Sequence, residues 1–195
     1  MDNEFTRTLI YEQKYSIPDL LCDDIIEMFE GEKDKHSPGL TLSGVKPHIK
    51  NTMDMNIPKN DPKWQKIEKL LYKELSKAVE IYIKQIRSVI TEYEVLDGEM
   101  SVDVFMIQKY IKQEGKYIYH NDSNVDYESH KYRIITFLWY LNDVEEGGET
   151  EFFGEYKIKP ERGKLVLFPA TWCFPHRGCM PISSDKYIIT NWFYT

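Results

Sequence analysis

The apolar residues of this chain change their period halfway along, and that change bounds the fold more tightly than any other feature. In the first half they recur as on helices. Leu21, Ile25 and Phe29 stand at i, i+4 and i+8, and Gly31 follows as a stop signal. Ahead of them, Ser16-Ile-Pro-Asp19 resembles a capping box with Asp in place of Glu. Asp61-Pro62 then opens a long amphipathic helix with the face Trp64, Ile67, Leu71, Leu75, Ala78, Tyr82. In the second half the period is two. Segments 102–110, 116–122, 132–142, 164–169 and 186–194 are rich in β-branched and aromatic residues and read as strands. Gly147-Gly148 and Arg162-Gly163 supply turns. Helices first and strands after predict an α+β fold, with helices packed on an all-β core, and no βαβ alternation. Residues 31–61 are rich in Lys, Gly, Pro, Asn and Ser without a period, and read as a flexible loop.

A chain of 195 residues suits one domain. Residues 1–100 would be mainly helical support and 101–195 the β core. The net charge of -7 argues against a broad grip on nucleic acid. Cys22, Cys173 and Cys179 form no CxxC pair, so neither a disulfide framework nor a Cys-based zinc site is expected. The N-terminal residues lack a basic-then-apolar leader, and no apolar run approaches the ~18 residues of a membrane span. The expectation is a soluble protein of the cytoplasm (a host's cytoplasm if the source is viral). The chain ends just past its last core strand, so no appended peptide-binding domain is expected.

Three side chains could meet at a metal. His120 and Asp122 stand two apart at a strand end, and residues two apart on a strand share a face. His176, far along the chain, follows the apolar strand Leu165–Phe168. Two imidazoles and one carboxylate can fill one face of an octahedral iron and leave the opposite face open. On the last strand, period two puts Lys186, Ile188, Thr190 and Trp192 together. If that face looks inward, Lys186 is a buried cation that needs an anionic partner, and a ligand carboxylate would supply it.

The stretches YIKQEGKYIYHND (110–122), RIITFLWYLNDVEEGGET (133–150), PERGKLVLF (160–168), His176-Arg-Gly and KYIITNW (186–192) stand in an order that resembles the 2-oxoglutarate, Fe(II)-dependent dioxygenases, specifically the prolyl 4-hydroxylase-like group. The resemblance covers the second half of the chain. It implies a double-stranded β-helix, a jelly-roll relative, supported by the N-terminal helices. It implies Fe(II) held by His120, Asp122 and His176, and 2-oxoglutarate whose far carboxylate pairs with Lys186. Tyr110, Thr150, Tyr140, Thr190 and Trp192 match cofactor-contacting positions, and Arg133 matches one near the substrate peptide. Lys186 stands where the oxygen-sensing prolyl hydroxylases use Arg, which places the chain nearer the collagen, algal, bacterial and viral enzymes.

The activity so implied is hydroxylation of a C–H bond, foremost of a prolyl residue in a peptide or protein. It consumes O₂ and 2-oxoglutarate and releases succinate and CO₂, with ascorbate as an accessory reductant. Asp122 favours hydroxylation over halogenation, since a halogenase would replace the carboxylate by a small residue to admit halide. The same chemistry on a free amino acid or small metabolite, and a non-catalytic cupin-like binding domain, remain open alternatives. Segments 31–61 and 121–131 stand where relatives close lids over substrate. His36, His48 and His130 lie in these polar segments and read as exposed, without a metal role.

Overall fold

Three helices precede the strand-rich half. They are α1 (Glu4–Thr8), α2 (Asp19–Gly31) and α3 (Pro62–Val89). The computed structural model describes residues 4–89, 96, 98–126 and 130–195. The apolar stripe on α3 is buried throughout, with Trp64, Leu71, Ala78 and Tyr82 inaccessible. The start of α2 differs from the expectation. Pro18 is the cap residue, extended at φ −64° and ψ 148°, and no side chain caps the helix. Ser16 lies too far upstream to reach the first free N–H groups. Its hydroxyl instead accepts the indole N–H of Trp139 at 3.1 Å.

Residues 31–61 form more than a loop. After β1 (Tyr11–Gln13) and α2, a 3₁₀ turn at Lys33–Lys35 leads into five short strands. These are β2 (Ser37–Pro38), β3 (Leu40–Thr41), β4 (Gly44–Val45), β5 (Lys50–Asn51) and β6 (Met53–Asn56). Pieces this short, interrupted by Gly39 and Pro47, cannot show a period of two. Their order comes from strands distant in sequence: β6 pairs along β7 (Met106–Tyr110), and β5 pairs with β8 (Lys116–His120).

The remaining strands are β9 (Val125–Asp126), β10 (Lys131–Tyr140), β11 (Thr150–Phe152), β12 (Tyr156–Ile158), β13 (Leu165–Pro169), β14 (His176–Gly178) and β15 (Lys186–Tyr194). The larger sheet runs β1-β13-β10-β15-β7-β6-β2, with β9 against β10, and the smaller runs β12-β11-β14-β8-β5. From β7 onward the chain shuttles between the sheets: β7, β10, β13 and β15 join the larger, while β8, β11, β12 and β14 join the smaller. Antiparallel strands wound this way form a double-stranded β-helix, the jelly-roll core. Strands β11, β12 and β14 lie outside the five segments predicted, because three residues are too few to carry a pattern.

The larger sheet is covered on both faces, which explains why its strands read as nearly continuous apolar runs. Ile135, Phe137, Trp139, Leu165, Leu167 and Ile189 pack outward against α2 and α3. Leu138, Tyr140, Val166, Phe168 and Ile188 point between the sheets. One register shift matters for the site. The β10–β15 ladder slips between Arg133 and Ile135, as at a β-bulge. Arg133 and Thr136, an odd number of positions apart, therefore both line the interior pocket.

Candidate active site

The pocket opens between the two sheets and has a volume of about 540 Å³. At its base, His120, Asp122 and His176 bring one nitrogen or oxygen each to within 4.8 Å of one another. The ladder sets this up, because His176 of β14 lies directly opposite His120 at the end of β8. His120 Nε2 is 3.7 Å from Asp122 Oδ1, and His176 Nε2 is 3.5 Å from Oδ2. Each imidazole is tied from behind. His120 Nδ1 meets the carbonyl of Ile118 at 2.8 Å, and His176 Nδ1 meets that of Phe174 at 3.1 Å. A carbonyl can only accept, so both rings carry their proton on Nδ1 and turn the Nε2 lone pair toward the carboxylate.

The charge states follow from the surroundings. Burial and the neighbouring His176 push His120 down to about 3, against the pull of Asp122. Burial pushes Asp122 up, but the imidazoles of His176 and His120 and a hydrogen bond from Thr136 outweigh it and hold the carboxyl below its ordinary range. Thr136 donates to Asp122 Oδ2 at 2.8 Å. One ionised carboxylate and two lone pairs on a common face are the donor set that a non-haem iron(II) takes. Tyr117 stacks on His120 with centroids 3.4 Å apart, and Phe168 meets His176 edge-on at 4.7 Å. These rings fix the imidazole planes.

Lys186 is 1% exposed. Its ammonium donates to the carbonyl of Gly148 at 2.9 Å and lies 3.8 Å from the centroid of the Tyr110 ring. No carboxylate pairs with it among the described residues, and burial pushes it down to about 7. Gly148 has φ +75°, a backbone conformation that residues with a side chain rarely adopt. Glycine is thus what brings this carbonyl to the ammonium. At Gly178, a Cβ would stand 3.0 Å from Cε1 of Tyr110. Gly178 lies two residues, about 7 Å, along β14 from His176.

The other residues singled out from the sequence fall into two groups. Tyr110, Thr150, Thr190, Trp192 and Arg133 line the pocket with the triad and Lys186. Tyr110 donates to Gln108 Oε1 at 3.4 Å, and Thr190 donates to the carbonyl of Phe137 at 2.7 Å. The Arg133 guanidinium stacks 3.4 Å from the centroid of Trp192. Tyr140 stands behind the pocket wall, where it donates to Thr150 Oγ1 at 2.6 Å. It reaches the pocket only through Thr150. Of the segment 121–131, residues 127–129 lie outside the described residues.

Among the pocket residues that escaped the sequence reading are four polar ones, Thr136, Gln108, Lys50 and Asp54. Thr136 carried a usable signal, as the one aliphatic hydroxyl in the apolar run 134–141. Lys50 and Asp54 carried none, since i, i+4 charges in a polar segment read as solvated.

An open-faced two-histidine, one-carboxylate cluster inside a double-stranded β-helix defines the class of mononuclear non-haem metal proteins. Residues 105–194, the β core, match the model of the 2OG-Fe(II) oxygenase superfamily. Prolyl 4-hydroxylase 13 of Arabidopsis thaliana is 33% identical over a match covering 31% of this chain and 30% of the plant protein. The match thus spans under a third of the curated relative. Among solved structures, the viral collagen prolyl hydroxylase of Paramecium Bursaria Chlorella virus-1, in complex with 2OG, superposes with a TM-score of 0.66 at 18% identity, covering 96% of each chain. A Trichoplax adhaerens prolyl hydroxylase, in complex with a peptide fragment of the hypoxia inducible factor oxygen degradation domain, gives 0.68 at 19% identity, covering 98% of this chain and 86% of that one. At these identities the likeness is one of fold.

Proposed function

We propose that the protein is an Fe(II)- and 2-oxoglutarate-dependent dioxygenase that hydroxylates a prolyl residue of a peptide or protein. The convergence of His120, Asp122 and His176 within 4.8 Å carries this reading. Bound iron and keto acid would supply the oxidative chemistry, coupling O₂ reduction and decarboxylation to C–H hydroxylation. His120 and His176 would offer Nε2, and Asp122 one negative charge that partly neutralises the cation. Thr136, by hydrogen-bonding one Asp122 oxygen, orients the carboxylate. Lys186 would receive the far carboxylate of 2-oxoglutarate, with the Tyr110 ring as the floor and the Gly148 carbonyl fixing the ammonium.

Arg133, stacked on Trp192, would face the substrate. The β3–β4 hairpin, whose Leu40, Thr41, Leu42 and Ser43 line the pocket mouth, would limit water access over it. Three free cysteines support a reducing, cytoplasmic setting, and ascorbate would keep the metal ferrous. No helix among the described residues is long and apolar enough to cross a membrane.

The experiment is a panel of proline-containing peptides and free amino acids with Fe(II), ascorbate, O₂ and 2-oxoglutarate, followed by mass spectrometry. Succinate release together with gain of one oxygen on a prolyl residue supports the proposal. Succinate release with an oxidised free amino acid and unmodified peptides would move the substrate class. No iron-dependent succinate release under any condition would sink the enzyme reading.

A further inference from the structure

The same pocket holds a second polar cluster that the metal and 2-oxoglutarate roles do not use. Lys50, Asp54 and Gln108 are 5%, 6% and 4% exposed. Lys50 Nζ pairs with Asp54 Oδ2 at 2.7 Å, and the Gln108 side-chain amide donates to the same oxygen at 3.3 Å. The other oxygen, Oδ1, is buried and makes no hydrogen bond. A buried carboxylate oxygen without a donor is costly and calls for an explanation.

The location supplies one. Asp54 on β6 stands opposite Gln108 on β7, two residues before Tyr110 on the same strand face. Lys50 on β5 stands opposite Tyr117 on β8, whose ring stacks on His120. The cluster thus links β6 of the larger sheet to the edge strand β5 of the smaller, flanked on one side by Tyr110 and on the other by the ring that backs a triad histidine. All three residues line the pocket.

We infer that Asp54, fixed by Lys50 and Gln108, is a specificity-determining residue whose Oδ1 accepts a neutral N–H from the substrate. The inference rests on the proposed prolyl hydroxylase reading and names the group recognised. Lys50 already neutralises Asp54. A second cation would leave an uncompensated charge in a buried site, whereas a backbone amide N–H completes the hydrogen bonding without adding charge. A prolyl residue within a chain has no N–H. The donor must therefore come from a neighbouring residue, and the pocket selects prolines flanked by non-proline residues.

Removing Asp54 alone would strand Lys50 and endanger the fold, so the variant is Lys50→Met/Asp54→Leu, which replaces the pair by apolar groups of similar size. The protein loaded with Mn(II) and 2-oxoglutarate is titrated calorimetrically with three probes: a capped Pro-Ala-Gly repeat peptide, capped poly(L-proline) of equal length, and free L-proline. The wild type should bind the repeat peptide about tenfold or more tighter than poly(L-proline), as expected for one hydrogen bond to a charged acceptor. The double variant should lose that preference while binding Mn(II) and 2-oxoglutarate normally.

Equal binding of both peptides by the wild type overturns the inference even if the variant does not fold. So does a preference that survives in the variant, or tighter binding of L-proline than of either peptide. If Mn(II) and 2-oxoglutarate bind but no probe does, the inference falls with the prolyl reading, and the oxygenase reading stands. If Mn(II) and 2-oxoglutarate themselves fail to bind, all three fall.

Discussion

Replacing Lys186 by Met separates what the ammonium costs the fold from what it contributes to the site. Lowering an ammonium from its ordinary 10.5 to about 7 reflects a penalty of about 5 kcal/mol on its charged form. Met fills a similar volume without that charge. It gives up the bond to Gly148 O and the contact with Tyr110, together worth about 2–4 kcal/mol. At pH 6, without ligand, Lys186→Met should therefore be more stable than the wild type by about 1–3 kcal/mol.

The advantage must shrink as pH rises. Between about 7 and 10 the unfolded lysine keeps its proton while the folded one has released it. The unfolded state then binds more protons, and wild-type stability climbs by up to about 1.4 kcal/mol per pH unit while that of the variant lacks this contribution. Binding shows the opposite sign. A far carboxylate buried without its cation should cost about 3–5 kcal/mol, or more than about a hundredfold in 2-oxoglutarate affinity. Urea unfolding from pH 6 to 10, with and without Mn(II) and 2-oxoglutarate, measures both. A variant less stable at every pH, with 2-oxoglutarate affinity unchanged, would refute the reasoning.

Three further outcomes follow from the geometry. Wild-type affinity for 2-oxoglutarate should fall about tenfold per pH unit above about 7, with proton uptake on binding visible by calorimetry in buffers of different ionisation enthalpy. Gly178→Ala should press a methyl against the confined Tyr110 ring, cost about 1–3 kcal/mol of stability and raise the KM for 2-oxoglutarate more than it lowers kcat. Ser16→Ala should leave the buried Trp139 N–H unpaired and cost about 1–3 kcal/mol in urea unfolding, with the helicity of α2 intact in circular dichroism, because Ser16 is not its cap.

The sequence made long-period features legible and hid short ones. The stripes of α2 and α3 and the long strands β10 and β15 repeat often enough to be read, and the period on β15 put Lys186 on the inner face. Strands β11, β12 and β14 have three residues each, and β2 to β6 have two to four. Such pieces are defined by their partners and not by their own pattern. The triad could be proposed because HxD on a strand end has a local logic. The inward turn of Arg133 depends on a register slip, and the burial of Lys50 and Asp54 depends on β5 and β6 joining different sheets. Neither has a local signature. Ser16 misled because a cap-like sequence says nothing of where Pro18 starts the helix.

Anaerobic titration of Fe(II) into the apoprotein with 2-oxoglutarate, followed by visible absorption, tests the centre itself. The account predicts one ferrous ion per chain and a charge-transfer band that needs both metal and keto acid. Both should vanish in a folded His176→Ala variant. The same band at the same stoichiometry in that variant would show that iron sits elsewhere, and the account would be wrong at its root.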